Sequence, residues 1–198
     1  MTRPLNIFGL IIFFSCHTIL FSTVPIYAEN YVQEACSVTR YQNVCLKTLA
    51  SYSNKARRSP RRWARAAVSV TIGEVKMVSQ YINNLNRRGH VSGRRNRVAL
   101  LDCVENVQNS LDNLHKSLDV LRRLSYEGFN EQINDVLTWL SAALTDQDTC
   151  IEGFDGKRGK VISSLCNKVQ NASFITSNAL ALANKLATTG IQDLGDRP

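Results

Sequence analysis

The sequence predicts an all-α protein, an up-down-up-down four-helix bundle preceded by a short N-terminal helical hairpin. Three observations support this fold class. Apolar residues recur at steps of three and four through four long blocks, which is the period of a helix with one buried face. The alternating pattern of a half-buried strand is weak throughout. Connections between consecutive blocks are short, and short connections make neighbouring helices antiparallel.

The first 28 residues have the organisation of a secretory signal peptide. Arg3 precedes an apolar run over residues 7–20, and the segment ends in Ala28. Charge, apolar stretch and small residue in that order are typical of an exported chain. Polar residues interrupt the run, so it is too short to span a bilayer as a stable helix. We predict cleavage after Ala28, which leaves residues 29–198 as one secreted domain without a membrane anchor.

An arm over about residues 31–59 precedes the bundle, and the first bundle helix is predicted over Pro60–Asn86. Proline is tolerated in the first turn of a helix, because the N–H that it lacks would have no partner within the helix. Gly89 marks the end of this block. The residues predicted to face inward are Trp63, Ala67, Val70, Met77, Tyr81 and Leu85.

The second and third helices are predicted over Arg94–Leu124 and Asn130–Glu152. Their apolar residues form a seam of the kind that packs against a partner helix. Gly153 and Gly156 then end the third block. The predicted inward residues of the second helix are Val104, Val107, Leu111, Leu114, Leu118 and Leu121. Those of the third helix are Ile133, Leu137, Leu140 and Leu144.

The fourth helix is predicted over Lys160–Ala187, and the tail over residues 189–198 is expected to fray. The predicted inward residues are Leu165, Val169, Ala172, Ala179, Leu182 and Leu186. Apolar stripes of this kind are characteristic of a bundle core. They therefore indicate a fold and carry no information about function.

The cysteine count predicts disulfides and one free thiol. Removal of Cys16 with the signal leaves an odd number of cysteines in an oxidising compartment. The cysteines that remain are Cys36, Cys45, Cys103, Cys150 and Cys166. Five choices of free cysteine and three pairings of the others give fifteen arrangements with two bridges.

Helix geometry favours one of these arrangements. If the second and third helices fold back about Glu127, residue i faces residue 254 − i, and Cys103 lies next to the position opposite Cys150. Antiparallel helices ~8–10 Å apart bring such side chains within bonding range. A second bridge between Cys36 and Cys45, which are close in sequence, would close the arm into a hairpin. The complete prediction is Cys103–Cys150, Cys36–Cys45 and a buried, inert thiol at Cys166.

The chain is basic, with a formal net charge of +8 and a pI of about 9.4. Such a charge predicts attraction to anionic partners. Because export argues against nucleic acid, an acidic extracellular polymer or an acidic protein cleft fits better. One predicted group of cations contains Arg57, Arg58, Arg61, Arg62, Arg65, Arg122 and Arg123. The other, at the opposite end of the bundle, contains Arg87, Arg88, Arg94, Arg95, Arg97, Lys157, Arg158 and Lys160.

The sequence lacks the components of a catalytic site. Neither His90 nor His115 has the spacing of a metal ligand, and no nucleophile elbow or phosphate-binding glycine loop occurs. The carboxylates of Asp102, Glu105, Asp146 and Asp148 are expected to be solvated surface groups. We therefore expect no enzyme, no metal and no cofactor. The sequence Asn171-Ala172-Ser173 makes Asn171 a candidate for glycosylation.

Several stretches carry a resemblance to a known family. Residues 36–45 read CSVTRYQNVC, and residues 136–150 read VLTWLSAALTDQDTC. Residues 101–103 (LDC) and 177–181 (SNALA) match further family positions. Over about Tyr31–Leu186, the chain resembles the plant invertase and pectin methylesterase inhibitor family.

The resemblance implies a four-helix bundle with an N-terminal hairpin, the same two disulfides, a fifth, free cysteine and no catalysis. Members of the family either cap the pectin-binding cleft of a pectin methylesterase or insert into the active site of an acid invertase. The run of residues 147–150 together with Trp139 resembles the methylesterase inhibitors more, and the invertase branch is the alternative. We expect a secreted, apoplastic monomer that forms a 1:1 complex and binds anionic pectin weakly.

The residues expected to contact the esterase flank the predicted bridge between the second and third helices. Glu105 and Thr149 are the strongest candidates, because each lies close in sequence to one of the bridged cysteines. The other candidates are Asp102, Gln147 and Asp148. Inhibition would then be steric, since the polymer cannot enter an occupied cleft.

Overall fold

The computed structural model describes residues 26–156 and 159–190. The short N-terminal elements are α1 (Ile26–Cys36), α2 (Gln42–Leu49), a 3₁₀ turn (Ala50–Tyr52) and α3 (Ser53–Ala56). The long helices are α4 (Pro60–Arg87), α5 (Arg94–Arg123), α6 (Phe129–Glu152) and α7 (Lys160–Thr189). Residues 1–25 of the predicted signal peptide and residues 191–198 of the predicted tail lie outside the described residues.

The four long helices form an up-down-up-down bundle, as the sequence predicts. Helix α4 packs against α5 and α7, and α6 packs against the same two helices. The N-terminal elements pack on one another and against α4 and α7. Within the described residues all regular structure is helical, which confirms the predicted fold class. None of the described helices has a stretch long and apolar enough to cross a bilayer.

Local sequence sets both ends of α4. The hydroxyl of Ser59 accepts a hydrogen bond from the backbone N–H of Arg62 (3.3 Å), and Pro60 occupies the first turn. A serine cap of this kind satisfies one of the N–H groups that a helix start leaves without a partner. At the other end Gly89 has a φ of 64°, and the N–H of His90 donates to the carbonyl of Leu85. The left-handed backbone at this glycine therefore ends the helix.

The predicted inward faces are correct for α7 and for most of α5, but partly wrong for α4 and α6. Met77 is 58% exposed, whereas the nearby Val78 is buried. Met77 was predicted to face inward because Trp63, Val70 and Met77 follow one another at steps of seven residues. A straight helix has 3.6 residues per turn, so each step of seven rotates the side chain by about 20° away from the buried stripe. In α6 the predicted Leu137 and Leu144 are only half-buried. The residues immediately before them, Val136 and Ala143, face the core instead.

Both predicted disulfides are present. The bridge from Cys36 to Cys45 joins α1 to α2, with the Cα atoms 5.7 Å apart. The bridge from Cys103 to Cys150 joins α5 to α6, with the Cα atoms 4.3 Å apart. The predicted pairing and the predicted free cysteine, Cys166, are therefore confirmed.

The free thiol of Cys166 differs from its prediction in one respect, because it is half-buried rather than fully buried. Burial raises the pKa of this thiol, and the carboxylate of Asp155 adds to the rise. A backbone hydrogen bond opposes both effects. The thiolate is the reactive form of cysteine, so the raised pKa keeps Cys166 in its less reactive state.

The N-terminal hairpin is fixed to α7 by a paired amide contact. The side-chain oxygen of Asn178 accepts from the N–H of Tyr41 (3.1 Å), and its NH₂ group donates to the Tyr41 carbonyl (3.0 Å). The ring of Tyr41 also stacks on Phe174, with ring centroids 4.1 Å apart. Because Asn178 is buried and Tyr41 is half-buried, both hydrogen bonds are partly shielded from water. The hairpin is thereby held in one position on the bundle.

Candidate functional site

A buried polar network fixes the register of α5, α6 and α7 close to the second disulfide. The amide nitrogen of Gln147 donates to the hydroxyl of Ser110 (2.8 Å), which donates in turn to the carbonyl of Ala143 (3.1 Å). The hydroxyl of Thr176 donates to the amide oxygen of Gln147 (2.9 Å). Buried polar groups with all partners in place favour one arrangement of the helices around them. This network and the bridge make a rigid platform.

The network corrects one predicted contact residue. Gln147 is only 1% exposed, and both ends of its amide are bonded inside the bundle. A partner protein cannot reach it without unfolding this part of the core. Gln147 is therefore a structural residue and is removed from the set of predicted contacts.

The other predicted contact residues are exposed on α5 and α6. Asp102 and Glu105 lie on either side of buried Cys103 in the sequence. Thr149 is exposed next to Cys150, and its hydroxyl donates to the carbonyl of Thr145 (2.9 Å). Side chains that project from two covalently joined helices keep their relative positions. Asp102, Glu105 and Thr149 are therefore exposed on two helices whose relative position the Cys103–Cys150 bridge fixes.

Asp148 is exposed too, but it lies on the side of α6 that faces α7. One of its carboxylate oxygens accepts a hydrogen bond from the hydroxyl of Ser173 (3.2 Å). The contact fixes the direction of the Asp148 side chain. Asp148 therefore belongs to the edge of the exposed region around the bridge rather than to its centre.

Sequence reasoning missed two exposed apolar residues on α5. Val98 and Leu101 are 51% and 53% exposed. Together with Glu105 they occupy positions i, i+3 and i+7, which share one face of a helix. The signal was available, because these positions lie opposite the inward stripe of α5. Exposed apolar side chains beside polar ones are the composition that protein interfaces use.

A half-buried carboxylate lies between α5 and α6. Asp146 accepts a hydrogen bond from the side-chain NH₂ of Asn113 (3.3 Å). Burial raises the pKa of Asp146, and the hydrogen bond from Asn113 offsets part of that rise. In the described part of the chain, histidines, cysteines and carboxylates form no group that could hold a metal ion.

The two basic groups lie at opposite ends of the bundle. At one end the guanidinium of Arg61 donates to the carbonyls of Leu121 (3.4 Å) and Arg122 (3.0 Å), which brings the start of α4 beside the end of α5. The second group surrounds the end of α4 and the start of α5. Its predicted members Lys157 and Arg158 lie outside the described residues. On α5, Arg97 of one group and Arg122 of the other are 25 positions apart, so about 38 Å of helix separates the groups.

The candidate glycosylation site lies on the surface of α7. The side chain of Asn171 is exposed and donates to the carboxylate of Glu74 (3.1 Å). The third residue of the motif, Ser173, is 4% exposed. Modification of Asn171 stays a prediction.

An exposed polar and apolar surface on a disulfide-linked pair of helices, without catalytic groups, is suited to binding. A family model described as Plant invertase/pectin methylesterase inhibitor matches residues 30–182. The chain belongs to this family. The resemblance that the sequence carries is thereby confirmed.

Two inhibitors from Arabidopsis thaliana illustrate the similarity within the family. Pectinesterase inhibitor 6 is 45% identical over 165 residues, which cover 82% of this chain and 78% of that protein. Pectinesterase inhibitor 9 is 34% identical over 167 residues, which cover 81% of this chain and 82% of that protein. Both relatives match this chain over most of its length.

A solved structure supports the fold. The crystal structure of a mutant form of a pectin methylesterase inhibitor from Arabidopsis superposes with a TM-score of 0.63. It is 22% identical and covers 76% of this chain and 93% of that chain. At this identity the likeness establishes the helical fold alone.

Proposed function

We propose that this protein is a secreted inhibitor of plant pectin methylesterase. It would occupy the pectin-binding cleft of the esterase in a stoichiometric, non-covalent 1:1 complex and so slow pectin de-esterification in the apoplast. The observation that carries the proposal is the 45% identity to Pectinesterase inhibitor 6 over 82% of this chain. Family membership over residues 30–182 supports it as well.

The proposed contact region is the bridge surface, which we define by its six exposed residues. They are Val98, Leu101, Asp102, Glu105, Asp148 and Thr149. A complex of ordinary size buries ~1,600 Å² in total, and a few residues carry most of its binding energy. Val98 and Leu101 supply apolar area, and the polar residues supply orientation. Because the two helices are joined covalently, binding would require little ordering of the inhibitor.

The net positive charge of the protein is consistent with the proposed location in the cell wall. The formal net charge of +8 would attract the protein to a wall polymer that carries carboxylates. This attraction is expected to be weak and to weaken further with salt, because exposed charges are screened. It would raise the concentration of the inhibitor near pectin without blocking the esterase.

A substitution at Thr149 tests the bridge surface. We expect Thr149→Trp to weaken inhibition about tenfold or more, because a bulky ring would clash at the centre of a close interface. Thr138→Trp is the matched control. Thr138 is also exposed on α6, its hydroxyl also bonds the carbonyl four residues earlier, and it lies three turns (about 16 Å) from Thr149.

The measurement is methanol release from methyl-esterified pectin by a panel of pectin methylesterases, with each inhibitor titrated in. Melting curves of both variants would establish that they fold. Full inhibition by Thr149→Trp would remove Thr149 from the contact region. If the unmodified protein inhibited no esterase of the panel, the proposed function itself would be wrong.

Acid invertase is the alternative target within the same family. The comparisons do not favour it, because the similar Arabidopsis proteins described above are named pectinesterase inhibitors. An invertase assay run in parallel would separate the two targets. Inhibition of invertase without inhibition of any esterase would reverse the assignment.

A further inference from the structure

A groove lies at the end of the bundle where the N-terminal elements meet α4 and α5. It has a volume of about 340 Å³, and its lining includes the cationic side chains of Lys55, Arg62, Arg65 and Arg122. Tyr52 and Leu118 contribute aromatic and aliphatic surface to the same walls. No acidic side chain is among the described residues that line it. We call this feature the basic groove.

The charges of the basic groove are largely uncompensated by the protein. Within the described residues, the side chains of Lys55 and Arg65 make no ion pair. The guanidinium of Arg62 donates to the backbone carbonyl of Lys55 (3.1 Å), which is a neutral acceptor. Like charges held together in one concavity repel each other and produce a positive potential there.

One carboxylate lies close to the groove without neutralising it. Asp119 is 3.7 Å from the guanidinium of Arg122, and both side chains are more than half exposed. An exposed pair of this kind contributes little and exchanges readily with other partners. The positive potential of the groove is therefore available to an anion from solution.

We propose that the basic groove binds an acidic oligosaccharide, a run of uronate residues whose carboxylates pair with Arg65, Arg62 and Lys55. Guanidinium groups hold carboxylates through two parallel hydrogen bonds, which gives both strength and geometry. Tyr52 and Leu118 offer apolar contacts for the C–H faces of the sugar rings. Ligand sites usually measure ~300–1,000 Å³, so this groove accommodates a short stretch of the polymer.

The choice of a uronate over a phosphate or sulfate polyanion rests on the proposed function, which locates the protein beside pectin. The groove itself is separate from the bridge surface. On α5, Cys103 lies at the level of the bridge surface and Arg122 at the level of the groove. The two residues are 19 positions apart, which corresponds to about 28 Å of helix. Saccharide binding and esterase inhibition therefore fail or succeed independently.

The test measures binding of a fully de-esterified galacturonate oligomer to the protein by titration calorimetry, first at low salt and then at 0.5 M NaCl. At about 0.5 M salt the electrostatic screening length falls to about 4 Å. We expect Lys55→Glu and Arg65→Glu each to weaken binding about tenfold, and added salt to weaken binding by the unmodified protein. Lys76→Glu is the control. It makes the same change in charge at an exposed position of α4, three turns (about 16 Å) beyond Arg65.

The outcomes separate the two proposals. Equal losses in Lys76→Glu and the groove variants, or no binding at all, would overturn the groove assignment. The choice of ligand would be overturned if another polymer bound as tightly as the galacturonate oligomer. The polymers to compare are polyphosphate, heparin oligosaccharide and methyl-esterified galacturonan. Esterase inhibition is measured on the same samples, and we expect the folded groove variants to inhibit the esterase as well as the unmodified protein does. Its absence in the unmodified protein would count against the proposed function alone.

Discussion

At the scale of single residues, the amide of Asn178 has the clearest consequence for stability. It satisfies both backbone groups of Tyr41, at the point where the N-terminal hairpin meets α7. We expect Asn178→Ala to lower the free energy of unfolding by about 1–3 kcal/mol, because it leaves the backbone N–H of Tyr41 without its partner. The carbonyl of Tyr41 loses one hydrogen bond but still accepts from the N–H of Cys45 (2.9 Å). Asn167→Ala, at an exposed position of the same helix, is the control and should change the free energy of unfolding little. Urea unfolding of both variants would decide.

Asp146 makes stability depend on pH. Because burial raises its pKa, the folded state binds a proton there more tightly than the unfolded chain does. Its contribution is thus most favourable below the unfolded pKa, about 3.9, and is lost as pH rises through the folded pKa. We expect Asp146→Asn to melt at a higher temperature than the unmodified protein at pH 7, with the difference vanishing near pH 3. Asp135→Asn, an exposed substitution on the same helix, is the matched control for the loss of one negative charge.

Two residues of α6 that are two positions apart show what sequence could and could not predict about the contact region. Gln147 and Thr149 are both polar and both close to Cys150, yet one is buried and the other exposed. The buried position became acceptable for glutamine only because Ser110 and Thr176 supply its hydrogen bonds from two other helices. Partners so distant in sequence leave no local signal.

At the scale of elements, the bridge between α5 and α6 is the strongest constraint. It closes a loop with a sequence separation of 47 residues. In the chain-entropy description a loop of that length stabilises the fold by about 4 kcal/mol. We expect Cys103→Ser to melt well below the unmodified protein, and reductant to lower the melting temperature of the unmodified protein in the same direction. Cys166→Ser, which breaks no bridge, is the control and should melt close to normal.

Helix boundaries were predictable because the sequence marks them. Pro60 and Gly89 enclose α4, and the predicted starts of α5 and α7 agree with the structure. The short helices of the arm were not delimited, since elements of four to eleven residues have too few turns to show a period. The positions of α1 and α2 are set instead by the Cys36–Cys45 bridge and by contact with α7, whereas α3 packs against α1 and α4.

At the scale of the whole molecule, the topology could be predicted from four apolar stripes and short connections in the sequence. The basic groove could not be predicted in this way. The sequence did predict that Arg122 and Arg123 approach the arginines at the start of α4, and the contacts of Arg61 agree with this. It gave no indication that Tyr52 and Lys55 would complete a concave wall. Three segments form that wall, and their arrangement depends on how the hairpin docks.

The length of α5 has a further consequence for how such a protein would behave in a wall. A straight helix of this length is a stiff spacer, so ligands at its two ends do not compete for space. On the proposals above, a molecule tethered to a fixed polymer through one end would present its other end to enzymes moving along the same polymer. The second encounter then occurs at an effective concentration set by the tether rather than by the bulk solution. Modest affinities at each end would together give long residence at sites of active de-esterification.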